Sequence, residues 1–503
     1  MALRKNESLN AAGPAGRVAV IDIGSNTVRL VVYDTPTRLP VPMFNEKAQC
    51  ELGWGMAETG RLNPEGIDLA LSSLERFFKL AEAMGVERMD MVATAAVRDA
   101  GDGADFTAEV ERRFGVPVQV LSGAEEARLA ALGLLSGVPG ADGLLGDMGG
   151  GSLDLVAIDD GSFAGYATLQ LGHLRLAEET GNKPKRAPGI VAGQLSTVPF
   201  LKEIKGRALY AVGGSWRAIA SIFIEQSRYP LHVIDGYTLE RREALKMTHL
   251  IAAMGPQAIQ RIPGIQRRRA ESLPYAAAAL EALIEASRPR RVIFSGFGMR
   301  EGQLLKGLAE ELRGQDPLIS GCATLAEHSG RFSIRGEEIM AWISPLFPDE
   351  TPNRRRLRLA ACLLADIGWS EHPDYRAEHA FHRVLRLPFA GLTHADRVLL
   401  AEAVFVRYNG DPWAALVAPV RNLLNEEQLA WGQVVGLALR FAHTLSGSAP
   451  GLLSRIALRI EAKSLVLELP GDIRSFASET VERRFKTLAR ALDLKALISG
   501  QDN

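Results

Sequence analysis

One stretch of this chain is written twice. "VIDIGSNTVRLVVYD" at 20–34 is echoed by "LLGDMGGGSLDLVAID" at 144–159, about 125 residues later. Each copy reads as an apolar strand, Asp-x-Gly, a turn of small polar residues and a second apolar strand. The repeat constrains the fold more than any other feature, because repeated units imply repeated architecture. Two facing domains, each opening on such a hairpin, would place both turns at the mouth of one cleft. A plain hairpin would be satisfied by Asn-Gly. The acids Asp22 and Asp147 at matching places point to chemistry rather than connection.

Short apolar runs flank both copies and alternate with amphipathic stretches from about 17 to 310. "RVAVIDI", "VRLVVYD", "DMVATAA", "VPVQVLS", "GLLGDMG", "LDLVAID", "ALYAVGG" and "RVIFSGF" read as strands, and 64–84 and 124–135 as helices. That alternation predicts α/β layers. From about 316 the texture is helical, and the end of the chain offers two strand-like segments and a helix near 475–493. The expected organisation is a disordered leader at 1–16, α/β domains at 17–138 and 139–312, a helical domain at 313–450 and a small α+β segment at 451–503.

At 503 residues the chain exceeds what one core organises, and its net charge of -1 gives no global pull toward nucleic acid or a membrane surface. Basic clusters occur locally at Arg267–Arg269, Arg288–Arg291 (interrupted by Pro289) and Arg354–Arg356. Each reads as a solvated helix end or as a wall for a polyanion. Cys50, Cys322 and Cys362 form no disulfide framework or zinc spacing. No run approaches the roughly 20 apolar residues of a membrane span, and the leader has no signal-peptide core. The expectation is a cytoplasmic protein.

The two turns suit a phosphate. Glycines let backbone N–H groups approach an anion closely. The first turn supplies Gly24, Ser25, Asn26 and Thr27, and the second Gly149, Gly150, Gly151 and Ser152. Asp22 and Asp147 would repel a phosphate unless a cation lay between, and Mg²⁺ bridges carboxylate to phosphate oxygen. "SGAEEARLA" offers Glu125 and Glu126 in the first turn of a helix. Both suit the helix dipole. Neighbouring helical positions diverge by about 100°, so one can face the cleft as a general base while the other faces solvent. Arg98, at a strand-to-helix junction, suits a bidentate phosphate contact.

On "AVIDIGSNTVRLVVYD", "VATAAVRDA", "VQVLSGAEEARLA", "GDMGGGSLDLV", "YAVGGSWRAIA" and "VIFSGFGMREGQL", in this order, the chain resembles the exopolyphosphatase / guanosine pentaphosphate phosphohydrolase family. That family lies within the actin–hexokinase–sugar kinase superfamily. The resemblance implies two ribonuclease-H-like domains flanking a cleft, and hydrolysis of the terminal phosphate of inorganic polyphosphate with Mg²⁺. Residue by residue, it makes Glu126 the catalytic base, Asp147 the magnesium-associated acid and Arg98 a phosphate contact. Ser25, Asn26 and Thr27 become the first phosphate loop, and Gly149 to Ser152 the second. Asp154 stands where many members have Glu; it is grouped with Asp22 and Asp147 as a metal-facing acid of shorter reach. The helical region resembles the family's HD-like domain, but Ala365 precedes Asp366, so the His-Asp pair is missing although His372, His379, His382 and His394 lie nearby. A structural role, channel extension and a homodimer are implied.

Four readings compete. A processive exopolyphosphatase comes first, and a guanosine pentaphosphate phosphohydrolase shares its motifs. A non-enzymatic sensor of polyphosphate or of guanosine penta- or tetraphosphate would have no need of Glu126. A kinase would need an Asp base for its acceptor, and Glu126 stands there instead.

Overall fold

The computed structural model describes residues 16–34, 37–39, 41–262, 265, 267–329 and 336–499. The expected leader lies outside these residues apart from Gly16. The chain divides between Gln315 and Asp316 into two compact units.

The first unit holds two sheets. β1 (Arg17–Ile23), β2 (Thr27–Tyr33), β3 (Pro42–Gln49), β4 (Val86–Ala93) and β5 (Val118–Val120) form one, in the order β3-β2-β1-β4-β5. β6 (Gly143–Met148), β7 (Leu153–Asp159), β8 (Ser162–Leu169), β9 (Ala208–Val212), β10 (Tyr237–Glu240) and β11 (Arg291–Phe294) form the other, in the order β10-β11-β9-β6-β7-β8. Read from β8 inward, the second sheet repeats the first with β10 added. In both, the opening hairpin is antiparallel and the next strand joins it in parallel. The repeat in the sequence is thus a repeat of whole sheets.

β1 is buried on both faces, which is why it reads as a continuous apolar run. Ala19, Ile21 and Ile23 enter one core with Leu74 and Phe77 of the helix Pro64–Ala83. Val18 and Val20 enter another with Val31, Tyr33 and Leu304. Burying each large side chain contributes about 1.5–3 kcal/mol. The period of two leaves Asp22 on the second face, toward the helix Met299–Lys306. On the other sheet, Leu145, Val156, Tyr210 and Val212 pack on Ala127, Ala130, Ala131 and Leu134 of the helix Gly123–Gly137.

These two helices meet almost backbone to backbone. A Cβ on Gly133 would lie 1.8 Å from the carbonyl oxygen of Gly298, and one on Gly302 would lie 1.9 Å from that of Leu129. Any side chain at either position would push the pair apart. The contact sets where Glu126 and Arg300 stand. It also means that 123–137 packs into the second sheet's core, while Leu304 of 299–306 packs on the first sheet.

The second unit is helical from Pro317–Ser329 to Glu426–Ser446. It closes on a three-stranded sheet of β12 (Ala457–Glu461), β13 (Ser464–Glu468) and β14 (Lys495–Ser499), with the helix Glu479–Ala491 before β14. Phe441 stacks on Phe485 at 5.3 Å, and Trp342 donates to the Ile456 carbonyl at 2.8 Å. Arg354 lies over Trp431, and Arg356 bonds Asp316 and the Gly391 carbonyl, so both arginines serve this unit's own packing. Asp366, after Ala365, pairs with Arg407 at 3.5 Å. No helix among the described residues is long and apolar enough to cross a membrane.

Candidate active site

The two hairpin turns share one geometry. The Gly24 N–H donates to the Thr27 carbonyl at 2.9 Å, and the Gly149 N–H to the Ser152 carbonyl at 2.9 Å. Their strands also keep one register. Asp22 faces Arg29 across β1–β2, and Asp147 faces Asp154 across β6–β7. The duplicated position therefore carries a cation in one copy and an acid in the other.

Each turn has its carbonyls bonded by a second segment. Cys50 and Glu51 donate their N–H groups to the Asn26 carbonyl at 3.1 Å, and Gly53 donates to that of Ser25 at 2.9 Å. His173 donates to the Gly149 carbonyl at 3.2 Å and Leu174 to that of Gly150 at 3.0 Å. The carbonyl oxygens of Ser25, Asn26, Gly149 and Gly150, which would repel an anion, are thus occupied by protein. The second tie is close: a Cβ on Gly172 would sit 2.1 Å from the Gly150 oxygen.

The Glu-Glu pair divides as its helical phase demands. Ser122 caps the helix, accepting from the Glu125 N–H, while the Glu125 carboxylate accepts from the Ser122 N–H at 2.9 Å. Glu125 is thus part of a capping box. Glu126, with 14% of its side chain exposed, lines the cleft and accepts from Arg98 at 3.1 Å. Burial above all, then Asp154 and Asp147, hold its pKa well above the ordinary 4.5, against the pull of Arg98. Asp154 is buried and accepts from the Thr168 hydroxyl at 2.7 Å. Burial with the Asp147 charge raises it to about 7, despite that bond. Asp147 is raised to about 6, mainly by burial. Asp22 is raised by burial, with Arg300 opposing at 3.3 Å.

One cleft of about 840 Å³ gathers Gly24 to Thr27, Gly149 to Ser152, Asp22, Asp147, Asp154 and Glu126. Arg98, expected as a phosphate contact, is not among the lining residues; it bonds Glu126, Asp99 and the Leu121 carbonyl. Five cations also line the cleft, Arg29, Lys47, Arg217, Arg269 and Arg300; of these the sequence singles out only Arg269, in the basic run Arg267–Arg269. Burial lowers Arg29 to about 10, helped by Arg300 and Arg217, so these cations repel one another across the space. Arg217 and Arg300 lie inside "YAVGGSWRAIA" and "GFGMREGQL", the one local sign of them. His173, buried in the cleft wall, shares a 3.2 Å hydrogen bond with Ser215 and is held near pKa 4 by burial, hence neutral at physiological pH.

Acids and cations interleaved around one space suit a polyanion whose end must meet a base. The donor set also fits Mg²⁺. Asp147 and Asp154 are hard oxygen ligands whose mutual repulsion a cation would relieve, and the Asn26 side-chain oxygen is buried without a partner. No three His, Cys, Asp or Glu side chains among the described residues converge as a cage. A metal held by one or two carboxylates plus substrate oxygens needs none.

Comparison with known proteins gives the family and the fold. An exopolyphosphatase from Cytophaga hutchinsonii superposes with a TM-score of 0.53 at 23% identity, over 60% of this chain and 99% of that one. The Aquifex aeolicus member of the Ppx/GppA family superposes with a TM-score of 0.50 at 25% identity, over 60% and 100%. The model of the exopolyphosphatase C-terminal region matches residues 320–498. That of the Ppx/GppA phosphatase family matches 31–311, more than half of the chain and the part holding Glu126, the second turn, Arg217 and Arg300. The chain belongs to the Ppx/GppA phosphatase family.

Proposed function

We propose that the chain is an exopolyphosphatase, a phosphoanhydride hydrolase that removes the terminal phosphate of inorganic polyphosphate by direct attack of water. One observation carries this reading: a buried glutamate with raised proton affinity lines the same cleft as two phosphate turns and five cations. Glu126 takes a proton from water as the water oxygen bonds the terminal phosphorus, a role worth typically 10²- to 10⁴-fold. The bridging P–O bond breaks, and its oxygen leaves with the shortened chain. Arg98 holds one carboxylate oxygen of Glu126, turning the group to a fixed orientation. Turn N–H groups and the hydroxyls of Ser25, Thr27 and Ser152 hold the terminal group, where preorganised donors act most strongly. Asp147, with Asp22 and Asp154, would hold Mg²⁺, which would neutralise phosphoryl oxygens. Arg29, Lys47, Arg217, Arg269 and Arg300 retain the remaining phosphates, so that successive cleavages proceed without release.

The test compares phosphate release from long-chain polyphosphate and from guanosine pentaphosphate at equal terminal-phosphate concentration, with Glu126→Gln as control. Faster, Glu126-dependent release from polyphosphate supports the proposal. Preference for the nucleotide would replace the substrate, and no release from either would leave a binding protein.

A further inference from the structure

A second basic cavity lies at the opposite end of the strands that carry the cleft. β9 runs from Ala208 toward Gly213 and Arg217, and β11 from Arg291 toward Gly298 and Arg300. At their starting ends, Lys205, Gly206, Arg241, Glu285, Arg288 and Arg290 line a space of about 530 Å³. That is within the ~300–1,000 Å³ of small-molecule sites. The run Arg288–Arg291 found in the sequence supplies two of its walls.

The cavity is built on a fixed frame. The Gly206 N–H donates to the Arg288 carbonyl at 3.0 Å, the Arg290 N–H to that of Arg207 at 2.9 Å, and the Arg241 N–H to that of Arg290 at 3.1 Å. Three distant segments are thus knitted together by backbone bonds, and each projects a cation into one space. Lys205, Arg288 and Arg290 are exposed, and Arg241 is half-buried.

Among the described residues, none of these four side chains has an ion pair or a side-chain hydrogen bond, and the Arg241 Nε is buried without an acceptor. Neighbouring Arg207 shows what a structural arginine does here: it bonds Asp142, Asp159 and the Ile158 carbonyl. The charge balance favours an anion. Four cations face one carboxylate, Glu285. The helix starting at Arg241 and the helix ending at Ser287 bring about half a charge each, of opposite sign, and cancel. Convergent, unpaired cations around one space attract a polyanion through their summed charge.

We infer that this cavity is a second phosphate-binding site, separate from the cleft, taking a short run of a linear oligophosphate. It does not depend on the reading of the cleft, since it involves none of the cleft residues.

The test uses the full chain in the hydrolysis-silent Glu126→Gln background, titrated calorimetrically with sodium tripolyphosphate at low ionic strength. The cavity accounts for one equivalent of bound tripolyphosphate, which K205A/R288A/R290A removes or weakens at least tenfold. K205R/R288K/R290K, which keeps the charges, retains it. The K205A/R288A/R290A substitutions in the active chain leave phosphate release at low substrate within twofold, showing that the fold and the cleft are intact. A parallel titration with orthophosphate separates the sources: equal occupancy assigns the cavity to the free ion, and preference for tripolyphosphate assigns it to the chain. The same stoichiometry and affinity with and without the three cations overturns the inference, as does binding that the conservative variant also loses.

Discussion

Glu402 offers the sharpest quantitative test of how this protein is held together. It lies on the helix His394–Arg407 with no exposed surface, and neither carboxylate oxygen has a hydrogen-bond partner among the described residues. Its carboxylate points at the helix Glu426–Ser446, where a Cβ on Gly432 would lie 3.5 Å from Oε2. Burial raises its pKa from 4.5 to about 7, with Arg421 opposing. Below pH 4.5 both folded and unfolded chains hold the proton, and the residue makes no pH-dependent contribution. Between 4.5 and 7 the unfolded chain ionises first, so stability falls as pH rises. Above 7 the loss is complete, and the gap between the two pKa values corresponds to roughly 3 kcal/mol. Glu402→Gln keeps the shape and removes the ionisation. Its amide remains unpaired, as the protonated acid is, so wild type and variant should melt together near pH 4.5. At pH 8.5 the variant's second unit should melt roughly 6–12 °C higher, at about 2–4 °C per kcal/mol for a domain of this size. Differential scanning calorimetry of the full chain from pH 4.5 to 8.5 makes the comparison. Parallel curves, or a variant that melts lower at pH 8.5, would refute the claim that an unpaired acid is buried there.

Glu126→Gln should lower the turnover number by at least about 10²-fold while polyphosphate binding survives; a filter-binding assay checks the second half. The pH profile of kcat/KM should fall on its acid side well above pH 4.5, because the base must be deprotonated and its carboxylate is hard to ionise. Asp154→Asn, which removes a negative neighbour, should move that limb to lower pH, and Arg98→Ala should move it higher. The limb reports the coupled acids together rather than one residue. Gly172→Ala should displace the second turn and cost about 10²-fold in turnover, with circular dichroism unchanged. EDTA should stop phosphate release, and added Mg²⁺ should restore it.

Much of the architecture was legible because it is written locally. A fully buried strand such as β1 announces itself as an apolar run, and the Asp-x-Gly hairpins fix both sheets' opening moves. The strands that escaped, β3, β8, β10 and β14, are all edge strands. Edges carry polar, half-exposed side chains, so "PMFNEKAQ" has no run to find. Glu126 was readable as one of a pair whose helical phase separates a cap from a base. The cleft's cations were not. Arg29 and Lys47 are single residues in ordinary surroundings, Arg269 sits in an arginine run that reads equally well as a solvated helix end, and only the closing of two sheets around one space makes them a set. The backbone contact through Gly133 and Gly302 was equally hidden, because a glycine in a helix does not say what it lies against.

The reversed charge at the duplicated position has a consequence for how a substrate is read. Linear polyphosphate is a palindrome: its two ends are chemically identical, and nothing along it says which way it runs. A perfectly twofold cleft built from two equal hairpins would have no means of choosing where to cut. Arg29 in one copy and Asp154 in the other break that degeneracy at one matched position, beside the unlike turns and the placing of Glu126. Whatever sense of direction such an enzyme has is carried by the protein alone, and a chain with the two residues exchanged would ask whether the polarity of the reaction can be turned around.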